Sequence, residues 1–192
     1  MTISSTFTLN DGTTVPWFAY GTGTALFGKD ASNSVLVAIQ NGVTHLDGAQ
    51  IYKNEETLGQ GIALSGKPRS ELFITTKLTL NVGDPATIKG LLEESLGKLR
   101  TDHVDLFLVH APSPSNQEPG KLKRVWQQME LVKKEGLAKS IGVSNFRVED
   151  LKEILDGATV IPSVNQVIYH DQVQQPFNLF LDRATSLCVE SG

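Results

Sequence analysis

Short apolar runs alternate with amphipathic helical patterns along nearly the whole chain, and this alternation narrows what it can fold into. The runs are Thr44–Asp47, Leu72–Lys77, Val104–His110, Leu137–Ser144 and Ile161–Gln166. They are rich in Val, Ile, Leu and Phe, as strands buried on both faces are. Between them lie helices with readable ends. Val35, Leu36, Ala38 and Ile39 form a stripe that closes at Asn41-Gly42, a helix-stop signal. Asp84-Pro85 joins an N-cap to a proline at the first helical position, after which Ile88, Leu91, Leu92, Leu96 and Leu99 share a face. Pro119 opens the next helix, where Leu122, Val125, Trp126, Met129 and Val132 repeat the spacing before Gly136 stops it. Leu151, Ile154 and Leu155, ending at Gly157, mark the last. Strand and helix alternating at intervals of roughly thirty residues predict right-handed βαβ units and a parallel sheet. Ahead of them, Phe7–Leu9, Asp11-Gly12 and Thr14–Val15 read as a β-hairpin. Trp17–Tyr20 reads as the first strand of the main sheet, with Trp17 as a core aromatic.

Two α/β architectures satisfy this pattern, a doubly wound sheet and a closed barrel. A dinucleotide-binding doubly wound fold needs a Gly-rich loop after its first strand and an acidic residue about twenty positions on. Gly21-Thr22-Gly23-Thr24 lacks the third glycine. Instead, strand after strand closes on a polar, chemically capable residue: Asp47, Lys77, His110, Ser144-Asn145 and Gln166. In a β/α barrel these ends converge on one mouth, where active sites sit. Each has a bland reading taken singly. Asp47 would be a turn residue, Tyr52 a packing aromatic with its hydroxyl in water, Lys77 a solvated strand end and His110 a core histidine. Ser144-Asn145 would cap the following helix, and Gln166 would satisfy a buried backbone group. None of these explains why all occupy equivalent positions.

As a set they make chemical sense. Tyrosine, with a reference pKa of about 10, is a poor proton donor at neutral pH unless perturbed. A lysine cation beside the phenol favours the phenolate, and a carboxylate beside the lysine holds its charge in place. A neutral histidine can orient a carbonyl oxygen by hydrogen bonding. Asp47, Tyr52, Lys77 and His110 therefore compose a proton-delivery group for a carbonyl becoming an alkoxide, without a hydride source of their own. Ser144, Asn145 and Gln166 suit a carboxamide, which both donates and accepts.

At these residues the sequence resembles the aldo-keto reductase superfamily. The matching segments are HLDGAQIYKNEETLGQGI (His45–Ile62), FITTKL (Phe73–Leu78), VDLFLVHAP (Val104–Pro112), GVSNF (Gly142–Phe146) and NQVIYH (Asn165–His170), with YGTGT (Tyr20–Thr24) ahead of them. The resemblance implies a TIM (β/α)₈-type barrel and NADPH-dependent reduction of an aldehyde or ketone, without metal. It implies that Tyr52 is the general acid, tuned by Lys77 and Asp47, and that His110 orients the carbonyl. It further implies that Ser144, Asn145 and Gln166 hold the nicotinamide carboxamide, with Thr24 and Asp47 near the cofactor. GTGT and LVHAPSP are similar to a fungal branch acting on ketones and dicarbonyls.

The chain has 192 residues, whereas such barrels typically take about 250. Six strand–helix units can be counted, so the expectation is one domain over residues 1–192 that lacks the last two βα units, with 176–192 a divergent tail. By the resemblance, the basic residues that grip the 2′-phosphate and adenine are expected to be missing with the eighth unit. A net charge of −4 with scattered Lys and Arg carries no footprint for nucleic acid or anionic membrane. Lys121-Leu122-Lys123-Arg124 reads as a solvated helix face. The single Cys188 excludes an internal disulfide and a Cys-rich metal site. No secretory signal or membrane-length apolar stretch is found, which makes the cytoplasm the expected location. Two other functions stay open: a Schiff-base lyase using Lys77, and a non-catalytic scaffold that binds a partner or senses cofactor.

Overall fold

The computed structural model describes residues 5–79, 82–112 and 118–167. The 176–192 tail, Cys188 and the last residues of the NQVIYH segment lie outside them. A hairpin of β1 (Thr6–Thr8) and β2 (Thr14–Pro16) comes first, Phe7 opposite Val15, turned through Gly12 at φ +88°. Six parallel strands follow: β3 (Ala19–Gly21), β4 (His45–Asp47), β5 (Phe73–Leu78), β6 (Val104–Val109), β7 (Ala138–Ser144) and β8 (Asn165–Gln166). Helices α1 (Ser32–Gln40), α2 (Glu55–Ser65), α3 (Ile88–Leu99), α4 (Lys121–Lys134) and α5 (Val148–Leu155) connect them.

The strands lie side by side in sequence order, each paired with the next, so the order never reverses as it would in a doubly wound sheet. The sheet also curls. Flat strands sit about 4.8 Å apart, so β4 and β8, separated by three strands, would be far out of side-chain reach. Yet Gln166 of β8 hydrogen-bonds Asp47 of β4 at 3.0 Å. The architecture is the wall of a β/α barrel, six strands of it among the described residues.

Two apolar layers hold it. Outside, Leu46, Ile74, Phe107 and Ile141 of the sheet meet Val35, Leu92, Trp126, Met129 and Leu151 of the helices. Inside, Phe73, Leu106 and Leu108 pack with Leu9 and Val15 of the hairpin, which plugs the end where the strands begin. Ser140 Oγ donates to Thr13 Oγ1 (2.7 Å), and Asn10 Nδ2 to the Pro162 carbonyl (3.0 Å), fixing the plug. The strands finish at the opposite end, away from this plug.

The helix signals fall where expected. The Asp84 side chain accepts from the Ala86 N–H (2.9 Å), and a 3-10 turn at Pro85–Thr87 leads into α3. Other expectations need correction. The first barrel strand begins at Ala19, because the Trp17 N–H bonds the Ser5 carbonyl (2.8 Å) and so belongs to the hairpin ladder. Trp17 is not a core aromatic: it is 67% exposed and stands edge-on to Phe7, ring centroids 5.6 Å apart. The Ile161–Gln166 run shortens to two residues of strand, since Pro162 has no N–H to give a ladder and Ile161 is exposed. Lys121 is buried rather than solvated. Lys123 and Arg124 pair with Asp156 (3.0 Å) and Glu118 (2.6 Å). Among the described residues no helix is long and apolar enough to cross a membrane.

Candidate active site

Alternation along parallel strands sends every second side chain into the barrel, so Asp47 at the end of β4 and Lys77 near the end of β5 project to the same mouth. Lys77 is 2% exposed, and its ammonium lies in the buried wall. The ammonium donates to Asp47 Oδ1 and to the Gly48 carbonyl (3.0 Å). A buried cation needs such partners, because desolvation is otherwise not offset. The other carboxylate oxygen of Asp47 accepts from Gln166 Nε2.

Tyr52 enters from a 3-10 turn, Gln50–Tyr52, just before α2. Lys77 Nζ lies 5.1 Å from the centroid of its ring, placing a positive charge against the phenol. His110, one residue past β6, meets the same ring edge-to-face, centroids 5.5 Å apart and planes at 81°. Burial, assisted by the Lys77 charge and opposed by Asp47, lowers the His110 pKa to about 4. Its imidazole is therefore neutral at neutral pH, and its Nδ1 is buried with no hydrogen-bond partner among the described residues.

Ser144 and Asn145 do not cap α5. The carboxylate of Asp150 takes that role, accepting the Arg147 backbone N–H at 3.0 Å. Ser144 Oγ instead donates to the Gln166 carbonyl (2.7 Å). Asn145, in the left-handed region at φ +58°, donates from Nδ2 to the His110 carbonyl (3.2 Å) and to Ser144 Oγ (3.1 Å). These bonds lace the ends of β6, β7 and β8 into one rim that carries three amide or hydroxyl groups. The structure thus brings together Asp47, Tyr52, Lys77, His110, Ser144, Asn145 and Gln166. Thr24 stands apart, exposed in a 3-10 turn, with no hydrogen bond from its hydroxyl to the others.

Residues that no strand-end pattern reveals support the cluster. Gln50 accepts the Thr79 N–H (2.7 Å) and donates to Ser95 Oγ (3.0 Å) and the Leu91 carbonyl (2.9 Å). Glu55 accepts from Thr76 Oγ1 (2.6 Å) and Ser95 Oγ (3.1 Å), and burial raises its pKa. Together they tie the turn carrying Tyr52 to β5 and α3 on either side of Lys77. Their signal in the sequence is their place beside Tyr52, within the family-like segment His45–Ile62.

The described strands thus form a β/α barrel wall with a lysine–carboxylate–tyrosine cluster at its strand-end mouth, and comparison with known proteins assigns its family. Residues 19–180 match the aldo/keto reductase family, and the chain belongs to that family. It is 43% identical over 169 residues to the NAD/NADP-dependent indole-3-acetaldehyde reductase of Schizosaccharomyces pombe, covering 84% of this chain and 58% of that one. It is 40% identical to the glyoxal reductase of Bacillus subtilis, covering 90% of this chain and 61% of the relative. Among solved structures, an aldo/keto reductase from Brucella melitensis superposes with a TM-score of 0.79 at 39% identity, over 89% of this chain and 65% of that one. The Bombyx mori aldo-keto reductase in complex with NADP does so with 0.78 at 36%, over 87% and 59%. The chain thus spans 58% and 61% of the length of these two curated relatives.

Proposed function

We propose that this chain reduces the carbonyl of a small aldehyde or ketone to an alcohol with NADPH, using Tyr52 as the general acid. The observation that carries the reading is the convergence of His110 and of Lys77, itself held by Asp47, on the Tyr52 ring at the barrel mouth. A bound reduced nicotinamide would supply the hydride that the carbonyl carbon gains. The Tyr52 hydroxyl gives its proton to the carbonyl oxygen as that oxygen takes on charge, and is reprotonated from solvent. His110, neutral, offers an imidazole N–H to the same oxygen and holds it in line with Tyr52. Lys77 and Asp47, paired in the buried wall, keep a fixed positive charge against the phenol.

The donor set of the rim fits a carboxamide. Ser144, Asn145 and Gln166 present hydroxyl and amide groups, and the Gln166 Oε1 accepts no hydrogen bond among the described residues. These three would hold the nicotinamide, with Asp47 and Thr24 beside it. The indole-3-acetaldehyde reductase and glyoxal reductase among its relatives, and the NADP of the Bombyx complex, support this reading. A Schiff-base role for Lys77 is disfavoured, because an ammonium donating to a carboxylate and a carbonyl has no lone pair to offer.

A second reading has the mouth bind without turning over, as a reductase-like scaffold. Titration of the chain with NADPH, followed by cofactor fluorescence and then a carbonyl panel, separates the two. Saturable binding with turnover that Tyr52→Phe abolishes, while sparing binding, supports the reductase. Binding without turnover supports the scaffold, and turnover retained by Tyr52→Phe would overturn the acid role.

A further inference from the structure

We propose that Asn54 is a positioning residue, a clamp that seats the turn Thr22–Gly28 on the phenol ring of Tyr52. Asn54 occupies the N-cap of α2, where an asparagine side chain ordinarily accepts a backbone N–H of the first helical turn. It makes no such bond. Its amide instead donates one hydrogen to the Thr22 carbonyl and the other to the Leu26 carbonyl, both at 2.8 Å. The residue is 3% exposed, and its Oδ1 is buried with no partner among the described residues. A helix cap has been given up, and an acceptor left unpaired, for the two bonds to the turn.

The turn so held touches the site. Its start is tied to β4, since the Thr22 N–H and hydroxyl both donate to the Asp47 carbonyl (3.0 and 3.3 Å). Its end is tied to the tyrosine itself, the Gly28 N–H donating to the Tyr52 carbonyl (2.8 Å). Between these anchors Gly23 lies against the ring. A Cβ there would stand 3.0 Å from Cζ, the carbon that bears the reacting hydroxyl. Phe27, on the same turn and 48% exposed, has its ring centroid 6.4 Å from that of Tyr52. Between the two anchors the other bonds are local, Lys29 to the Ala25 and Leu26 carbonyls, and Leu26 packs on the core. The Asn54 amide is the grip from across space, and it sets where the Gly23–Phe27 wall meets the phenol.

The effect on turnover rests on the reading of Tyr52 as the acid; the clamp does not. Asn54→Asp and Asn54→Ser separate a clamp from a cap, because both residues cap helices well but lack the two amide hydrogens. Hydrogen–deuterium exchange of the full chain is expected to quicken in peptides covering 20–28, leaving those of 55–65 unchanged. Turnover is expected to fall about tenfold, with NADPH affinity unchanged. Faster exchange in 55–65 alone, no change anywhere, or loss of protection throughout the chain in both variants would overturn the clamp. Should the wild type reduce no carbonyl, the functional reading falls and the exchange measurement still decides the clamp.

Discussion

The side chain of Gln166 hydrogen-bonds the carboxylate of Asp47 at 3.0 Å across 119 residues of sequence, joining the last described strand to the second strand of the barrel wall. Asp47 is thereby held on both sides, by Lys77 at one oxygen and by Gln166 at the other.

Gln166→Glu should turn that attraction into repulsion between two carboxylates. The lost bond to a charged group corresponds to about 1.5–3 kcal/mol. A lower Tm and urea midpoint are expected, whereas Gln166→Met, which removes the bond without adding charge, should cost less. Equal stability of all three proteins would show that the sheet curls without this contact.

Lys77→Met should destabilise the fold by about 3–5 kcal/mol, because it leaves the Asp47 carboxylate buried without its cation. Adding Asp47→Asn should recover a large part of that loss. Urea unfolding of the two single variants and the double variant measures this coupling, and additive losses would contradict it.

His110 should stay neutral from about pH 8 to well below 6 and protonate near pH 4, as followed by NMR of its ring protons. Its folded-state pKa lies below the ordinary 6.5, so between these values the unfolded chain binds more protons. Its contribution to stability is therefore complete above pH 6.5 and is lost as pH falls through about 4. Burial lowers the pKa of His45 too, which adds to the loss in the same direction. His110→Gln should flatten the pH dependence across that window.

Gly→Ala should have opposite signs in neighbouring helices. At Gly59 a Cβ would lie 2.2 Å from the Lys98 carbonyl oxygen, so α2 and α3 must part, at a cost of roughly 1–3 kcal/mol or more. At Gly97 nothing lies within 4 Å, and alanine should stabilise α3 by roughly 0.5–1 kcal/mol. Thermal melts of the two variants check both signs.

The barrel class and most of the mouth were legible because both rest on local periodicity. Parallel strands buried on two faces must be apolar runs, and polar residues closing them must share one end. That pattern marks Asp47, Lys77, His110, Ser144 and Gln166. It failed where a side chain's role depends on what lies across space. Asn54 sits where a helix cap is expected, and only the packed turn shows its amide pointing elsewhere. Trp17 is aromatic enough to suggest core, yet the hairpin ladder carries it outward.

By itself the sequence determined the element order, the parallel sheet and the chemical character of each strand end, because these follow from spacing and side-chain type along one stretch of chain. The tertiary structure alone decided that β4 and β8 meet through Gln166 and Asp47. It alone seated Gly23 on Tyr52 and depressed the pKa of His110. Curvature, close approach and desolvation belong to the packed whole, and none is encoded in any one segment.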